Sequence, residues 1–257
     1  MSQKDKAVAF GALHRKGSPV IIYNIWDAGT ARAVADAGAA ALGTGSWSVA
    51  ASQGYADGEE LPFEALLATV KTITAAVDLP LSVDFEGGYA EAPEKLAANV
   101  ARLMDAGAIG LNFEDQVVSG TGIYPVATQA ERIKAIRALA GSRDLPFFVN
   151  ARTDLFLKEG DRTQHAGLMD DAIERAVAFA ASGANGFFAP GLADEDLIRK
   201  LCEASPLPVN IMMFSGVPEP KRLAELGVGR VSYGPGPYRA MMAKLKDEAA
   251  SVFAATA

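Results

Sequence analysis

The sequence predicts an α/β protein of the (β/α)8 TIM-barrel class, and three observations carry that prediction. Short, near-continuously apolar runs alternate with amphipathic stretches eight times along the chain, the pattern of a parallel sheet covered by helices. A helix that ends in Gly and passes straight into an apolar strand recurs four times, at Ala37-Gly38-Ala39, Ala106-Gly107-Ala108, Ser182-Gly183-Ala184 and Leu226-Gly227-Val228. Gly suits that junction because the left-handed conformation costs it little. The 257 residues fit one closed barrel, usually about 250 residues long. No Gly-x-Gly-x-x-Gly follows the first strand, which counts against a dinucleotide fold. No composition shift marks a boundary, so residues 1–257 read as a single domain.

Taken in order, residues 10–15 read as a helix, 19–27 (PVIIYNIWD) as the first buried strand and 29–37 as the helix after it. The remaining strands lie in AALGTGS, LPLSVDFE, IGLNFED, LPFFVNART, NGFFAPG, LPVNIMMF and GRVSYGP. Between them, helices are expected over 62–76, 93–105, 128–140, 169–181, 194–204 and 218–226. An additional C-terminal helix from 237 onward falls outside the regular spacing and is available for oligomerisation.

Charge and composition exclude several partners. Twenty-four Lys and Arg stand against 31 Asp and Glu, a net charge of -7, and no basic run offers a phosphate-backbone footprint, so nucleic acid is not expected. No apolar run approaches the roughly 20 residues a membrane span needs. The first residues, MSQKDK, lack the apolar core of a signal peptide, which points to a cytoplasmic protein. The single Cys202 rules out an intramolecular disulfide and a Cys-rich metal site; in its helical stretch it reads as a packing residue. His14 and His165 lie away from the strand ends and read as surface residues, and Asp170, Asp171, Glu174 and Arg175 as a solvated helix start.

In a parallel barrel the chemistry sits at the C-terminal ends of the strands. Those ends carry Asp27, Gly45 and Ser46, Asp84 and Glu86, Glu114 and Asp115, Arg152 and Asp154, Pro190, Asn210 to Phe214, and Tyr233 with Gly234. Strand periodicity puts Ser82, Asp84 and Glu86 on one face, and Asn112 with Glu114 in the same phase one unit later. Like charges gathered at one point call for a cation. Oxygen ligands without Cys or His suit Mg²⁺ first and Mn²⁺ second, with one or two direct protein ligands and several waters. Arg152 offers a planar fork to a substrate carboxylate, although pairing with Asp154 or Glu114 is the plainer alternative. The long stretch 47–60 reads as a lid, and residues 121–125 form a second loop of interest.

The motifs GTGSWSVAASQGYADGE, SVDFEGG, LNFEDQ, VNARTD and PVNIM, in this order and over nearly the whole chain, resemble the isocitrate lyase/phosphoenolpyruvate mutase superfamily. The resemblance implies a Mg²⁺-dependent barrel enzyme, a lyase or decarboxylase that cleaves a C–C bond of a small 2-hydroxy or 2-oxo carboxylic acid through a metal-stabilised enolate. It also implies a homo-oligomer, dimer or tetramer, with a terminal helix swapped between subunits. Matched by motif, Asp84 is the principal metal ligand, and Glu86 and Glu114 hold the metal mostly through water. Asp57 is the acid on the gating loop, and Gly45 and Ser46 form the turn that binds the substrate carboxylate or enolate. Arg152 is the substrate clamp, and Asn210 a polar group on the far wall. The chain departs from the lyases where Gln116 to Gly122 replaces a Lys-x-Cys-Gly-His segment, and it lacks the Lys and Asn that phosphonate enzymes use there. The acid/base group is thereby left open among Tyr124, Asp57 and a metal-bound water. Two alternatives stand beside the lyase: a phosphonate P–C mutase or hydrolase, and a catalytically silent carboxylate-binding member.

Overall fold

The structure, a computed structural model, describes residues 1–118 and 120–255; Ser119, within the segment 116–122, and residues 256–257, at the end of the stretch expected as a C-terminal helix, lie outside the described residues. The strands are β1 (Val20–Ile22), β2 (Leu42–Gly43), β3 (Leu81–Asp84), β4 (Gly110–Glu114), β5 (Phe148–Arg152), β6 (Gly186–Phe188), β7 (Val209–Met212) and β8 (Arg230–Ser232). The helices are α1 (Gln3–Leu13), α2 (Ala28–Asp36), α3 (Ser46–Ser52), α4 (Phe63–Ala76), α5 (Pro93–Asp105), α6 (Val126–Ser142), α7 (Leu155–Lys158), α8 (Met169–Ala181), α9 (Glu195–Ala204), α10 (Pro220–Glu225) and α11 (Gly236–Ala254).

All strand pairs are parallel, in the order β1-β8-β7-β6-β5-β4-β3-β2. The two edges meet through a parallel bridge between Ile25 and Thr44. There Ile25 N–H donates to Gly43 O at 2.9 Å and Gly45 N–H to Ile25 O at 3.3 Å, which closes the barrel. The four junction glycines behave alike: Gly38, Gly107, Gly183 and Gly227 all have φ between 93° and 96°. The expected barrel and its C-terminal helix are therefore both present.

The apolar core lies between the strands and the helical layer. On α5, Leu96, Val100, Leu103 and Met104 form one buried stripe against outward strand residues such as Val83, Leu111 and Phe113. Each such fully buried side chain contributes about 1.5–3 kcal/mol. A smaller cluster, with Phe10, Ile22, Ile109 and Phe148, seals the foot of the barrel under α1.

Local chemistry moves several boundaries. The first helix begins at Gln3, well before residue 10, because Ser2 and Asp5 form a reciprocal capping box. The first strand stops at Ile22, and Asp27 caps α2 by accepting from Thr30 N–H at 2.7 Å. The stretch expected as one long lid is helical over α3 and irregular only over residues 53–62. Two short elements follow β5 without a sequence signal, α7 and a 3-10 turn over Arg162–Leu168. Both histidines are buried, contrary to expectation: His14 stacks on Phe148, and His165 sets its ring edge against Phe156. Arg175 is not solvated either, because its Nη1 reaches the buried Asp115 at 2.9 Å. Cys202 is buried as expected, which pushes its thiol up to about 12.

Candidate active site

A cavity of about 290 Å³ opens at the C-terminal ends of the strands, lined by Asp57, Asp84, Arg152, Trp47 and Arg239 on its polar side and by Leu157, Phe188, Pro190 and Met212 on its apolar side. Asp84, the last residue of β3, is fixed from three directions. Its own N–H donates to Thr44 Oγ1 at 2.8 Å, and its carboxylate accepts from Ser46 N–H at 3.0 Å and from Asn112 Nδ2 at 3.4 Å.

Glu86 departs from the shared strand face that periodicity assigned it. The strand has ended, Glu86 takes φ 49°, and its Oε2 accepts from Gly58 and Glu59 N–H, both at 2.8 Å, on the loop beyond β2. Glu114 ends β4 and pairs with Arg152 Nη1 at 2.8 Å. Arg152, on β5 in register with Glu114, also gives Nε and Nη2 to Asp154 at 2.6 and 3.0 Å. The plainer reading of Arg152 as an ion-pair partner is thus realised, and the same side chain still lines the cavity.

Asp57 stands on the exposed loop and reaches the cavity, where the Ser46 side chain hydrogen-bonds to it. Ser46 therefore ties two carboxylates together. Gly45 lines the cavity too, but its N–H is used in closing the barrel. Asn210, expected on the far wall, lies beneath the cavity. Its Oδ1 accepts from Asn150 Nδ2 at 3.0 Å and its Nδ2 donates to Ser232 Oγ at 3.1 Å; Asn150 also donates to Asn112 at 2.9 Å. These amides make a polar floor that holds Asn112, and through it Asp84. Asp115 is structural, bound by Arg175 and by Asp154 N–H at 3.0 Å. Tyr124 lies outside the cavity with its ring against Arg132, 4.5 Å from ring centroid to guanidinium.

Arg239 escaped the sequence reading. It projects from the first turns of α11 over the Trp47 ring, 4.6 Å from its centroid; the only hint was a Tyr-Arg pair after Gly-Pro-Gly-Pro.

The electrostatics of the mouth follow from crowding. Burial raises Asp57, and the charge of Asp84 adds to it. Burial, then Asp57, pushes Glu86 up to about 8. Burial holds Glu114 well above the usual carboxylate range although Arg152 opposes it. For Arg152, burial works against the charge, and Glu114 and Asp154 more than reverse it. One Arg shared by several carboxylates leaves negative charge in excess, which a divalent cation would relieve. Among the described residues no three His, Cys, Asp or Glu side chains form a ready cage for an ion. This all-oxygen donor set would suit a hard cation such as Mg²⁺, for which Asp84 would be the direct ligand and water would complete the shell.

A parallel barrel with carboxylates and one clamped Arg at its mouth defines an enzyme scaffold. Comparison narrows it. Residues 10–253 match the family model described as phosphoenolpyruvate phosphomutase. The chain is 36% identical over 233 residues to an uncharacterised Mycobacterium tuberculosis (strain H37Rv) protein, covering 91% of this chain and 84% of that one. It is 31% identical over 226 residues to 2-methylisocitrate lyase of Escherichia coli (strain K12), covering 85% and 74%. A crystal structure from Burkholderia cenocepacia J2315, named as a candidate phosphonomutase, superposes with TM-score 0.94 at 45% identity, covering 97% and 99%. Phosphonopyruvate hydrolase, solved with oxalate and Mg²⁺, shares the fold at TM-score 0.85 and 21% identity, covering 98% and 88%. The chain belongs to the isocitrate lyase/phosphoenolpyruvate mutase superfamily, an enzyme of the carbon–carbon lyase kind its relatives exemplify.

Proposed function

We propose that the protein is a Mg²⁺-dependent lyase or decarboxylase acting on a C–C bond of a small 2-hydroxy or 2-oxo carboxylic acid. One observation carries this reading: Asp84, at the end of β3, and Arg152, at the end of β5, open on one cavity, with the Asp84 carboxylate anchored by Ser46 N–H. Mg²⁺ held by Asp84, with Glu86 and Glu114 acting through water, would supply positive charge to offset the enolate oxygen, a contribution of several kcal/mol.

The chain's own groups do the rest. Arg152, immobilised by Glu114 and Asp154, meets the substrate carboxylate as a preorganised fork, so little side-chain entropy is lost on binding. Gly45 and Ser46 shape the wall where that carboxylate lies, and Asn210 acts from below by fixing the amide floor. Asp57 holds or releases the proton at the reacting carbon; its raised affinity for a proton brings it nearer neutral pH, where acid/base exchange is efficient. Tyr124 is turned away, so Asp57 takes the role the missing Cys would have had. Leu157, Phe188, Pro190 and Met212 keep water from the opposite side. Arg239 adds a cation for a second acidic group.

The test is Asp84→Ala in a Mg²⁺-loaded screen of di- and tricarboxylates, 2-oxo acids and phosphonates, with pyruvate, glyoxylate, carbon dioxide and phosphate detected. Loss of both metal binding and turnover in a folded variant supports the reading; full activity sinks it. The phosphonate alternative draws on the Burkholderia cenocepacia neighbour, and phosphate released from phosphonopyruvate would establish it. A shift in melting temperature without turnover of any acid would indicate a silent carboxylate binder. Among the described residues no helix is long and apolar enough to cross a membrane. A cytoplasmic location is a separate part of the proposal. We also propose a homo-oligomer: α11 leaves Met241, Leu245, Val252 and Phe253 exposed, and a cavity of about 750 Å³ with an apolar lining opens beside its first turns. Light scattering on the intact chain tests that.

A further inference from the structure

The geometry points to Glu59 as a positioning residue: its backbone and its side chain together clasp the loop 53–62 to the turn after β3, and so hold Asp57 in the cavity. The clasp runs in both directions. Gly58 and Glu59 N–H donate to Glu86, both at 2.8 Å, and the Glu59 carboxylate accepts in return from Tyr89 N–H at 2.8 Å and from the Gly87 backbone. Asp57 is the residue next to the first of these bonds.

Two further observations show that the chain is shaped around this contact. A Cβ on Gly87 would stand 3.0 Å from Glu59 Oε1, so the carboxylate lies against bare backbone that only Gly provides. Among the described residues, four non-glycine residues have positive φ, and three of them, Glu59 (61°), Glu86 (49°) and Tyr89 (55°), are the clasp. Such conformations are held only where surrounding contacts over-determine them.

The two halves are not equally anchored. The turn is tied from behind by Arg132 Nη2 on Gly87 O and Ala90 O at 2.5 and 2.9 Å, and by Asn99 Nδ2 on Gly88 O and Tyr89 O at 3.1 and 3.2 Å. The loop, largely exposed from Ser52 to Asp57, hangs from that fixed post. Glu59 is accordingly the latch, and Glu86 has a task besides any metal.

The loop-holding role stands by itself, whereas its consequence for turnover rests on the lyase reading. The experiment measures hydrogen exchange by mass spectrometry on peptides spanning residues 53–62 and 85–91 of the full chain, for Glu59→Ala, Glu59→Gly and Glu59→Gln. Exchange in 53–62 should rise about tenfold in the Ala and Gly variants, as local opening becomes easier; Gln, which still accepts, should stay within about threefold of wild type. The Gly variant separates side chain from backbone, since it relieves the strained φ yet loses the clasp. Wild-type exchange in both Ala and Gly variants overturns the clasp, and so does a Gln variant as open as Ala. With a substrate in hand, kcat of Glu59→Ala should fall roughly tenfold while KM changes less than threefold, as expected for a misplaced acid/base group. Faster exchange with unchanged kcat overturns the positioning of Asp57. A wild type that turns over no acid defeats the lyase reading instead, and leaves the exchange result to judge the clasp.

Discussion

Arg152 at the mouth and Arg230 at the foot are both buried arginines on barrel strands, and their surroundings differ completely. Arg152 has Glu114 and Asp154 in direct contact and opens on a cavity. Among the described residues Arg230 pairs with no carboxylate and its Nε and Nη1 find no partner; its guanidinium lies 5.9 Å from the Phe10 ring centroid, and burial pulls it down to about 10. Beside it His14, stacked on Phe148 at 4.1 Å, gives Nδ1–H to Phe10 O at 2.8 Å. The arginine at the mouth is paired with carboxylates and opens on a cavity, whereas the arginine at the foot is sealed beside aromatic rings. On the proposed function, the difference separates side chains placed for chemistry from side chains that stability must tolerate.

If that division is right, mutations at the two ends should register in different measurements. The largest effect is expected for Asp84→Asn, which keeps the side chain's shape and one of its two accepting oxygens and removes one of several crowded charges. Turnover should fall by about a thousandfold or more, roughly 4 kcal/mol of transition-state stabilisation, while the urea midpoint holds or rises. A variant that unfolds more easily yet retains turnover would reverse the assignment of the mouth.

The foot should answer through pH. Burial, with Arg230 nearby, lowers His14 from 6.5 to about 3. A base with a depressed folded pKa is held neutral, so its stabilising contribution is complete above pH 6.5 and is lost as pH falls toward 3. Between pH 6.5 and 4 that amounts to about 3 kcal/mol. Urea unfolding of wild type and His14→Phe at both pH values isolates it: the variant should lose less stability on acidification. Equal losses would remove His14 from the account.

The same division explains what the sequence made legible. Mouth residues announce themselves because strand phase is local: Asp84, the Asn112/Glu114 pair and the Asn150/Arg152 pair can be read two residues at a time, and β3, β4 and β5 set them side by side. Phase fails two residues past the strand, which is why Glu86 turned to the loop against expectation. The foot and the clasp depend on partners far apart in sequence. His14 meets Phe148, Arg175 meets Asp115 and Glu59 meets Tyr89, and no local pattern distinguishes those residues from solvated ones. Family likeness supplied Asp57, which the loop composition alone would have left in solvent.

Arg152→Lys probes how much of the mouth depends on shape beyond charge. Lys keeps the cation but cannot engage Glu114 and Asp154 through separate nitrogens of one rigid plane while facing a substrate. kcat/KM should fall roughly 10–100-fold, about 1.4–2.8 kcal/mol. A Lys variant with wild-type kinetics would reduce Arg152 to a source of positive field.

Arg239 should give the smallest change and draw the boundary of the mouth most finely. It is exposed, it stands on the helix after the last strand, and its contact is the face of Trp47. An exposed cation is screened by solvent, so Arg239→Met, which keeps an apolar stem over the ring, should raise KM about three- to tenfold and leave kcat alone. The effect should shrink with added salt and vanish for a substrate with one acidic group, because the second group is what Arg239 would meet. A drop in kcat at saturating substrate would instead place Arg239 among the residues that act on the transition state, and would extend the catalytic mouth from the strand ends onto α11.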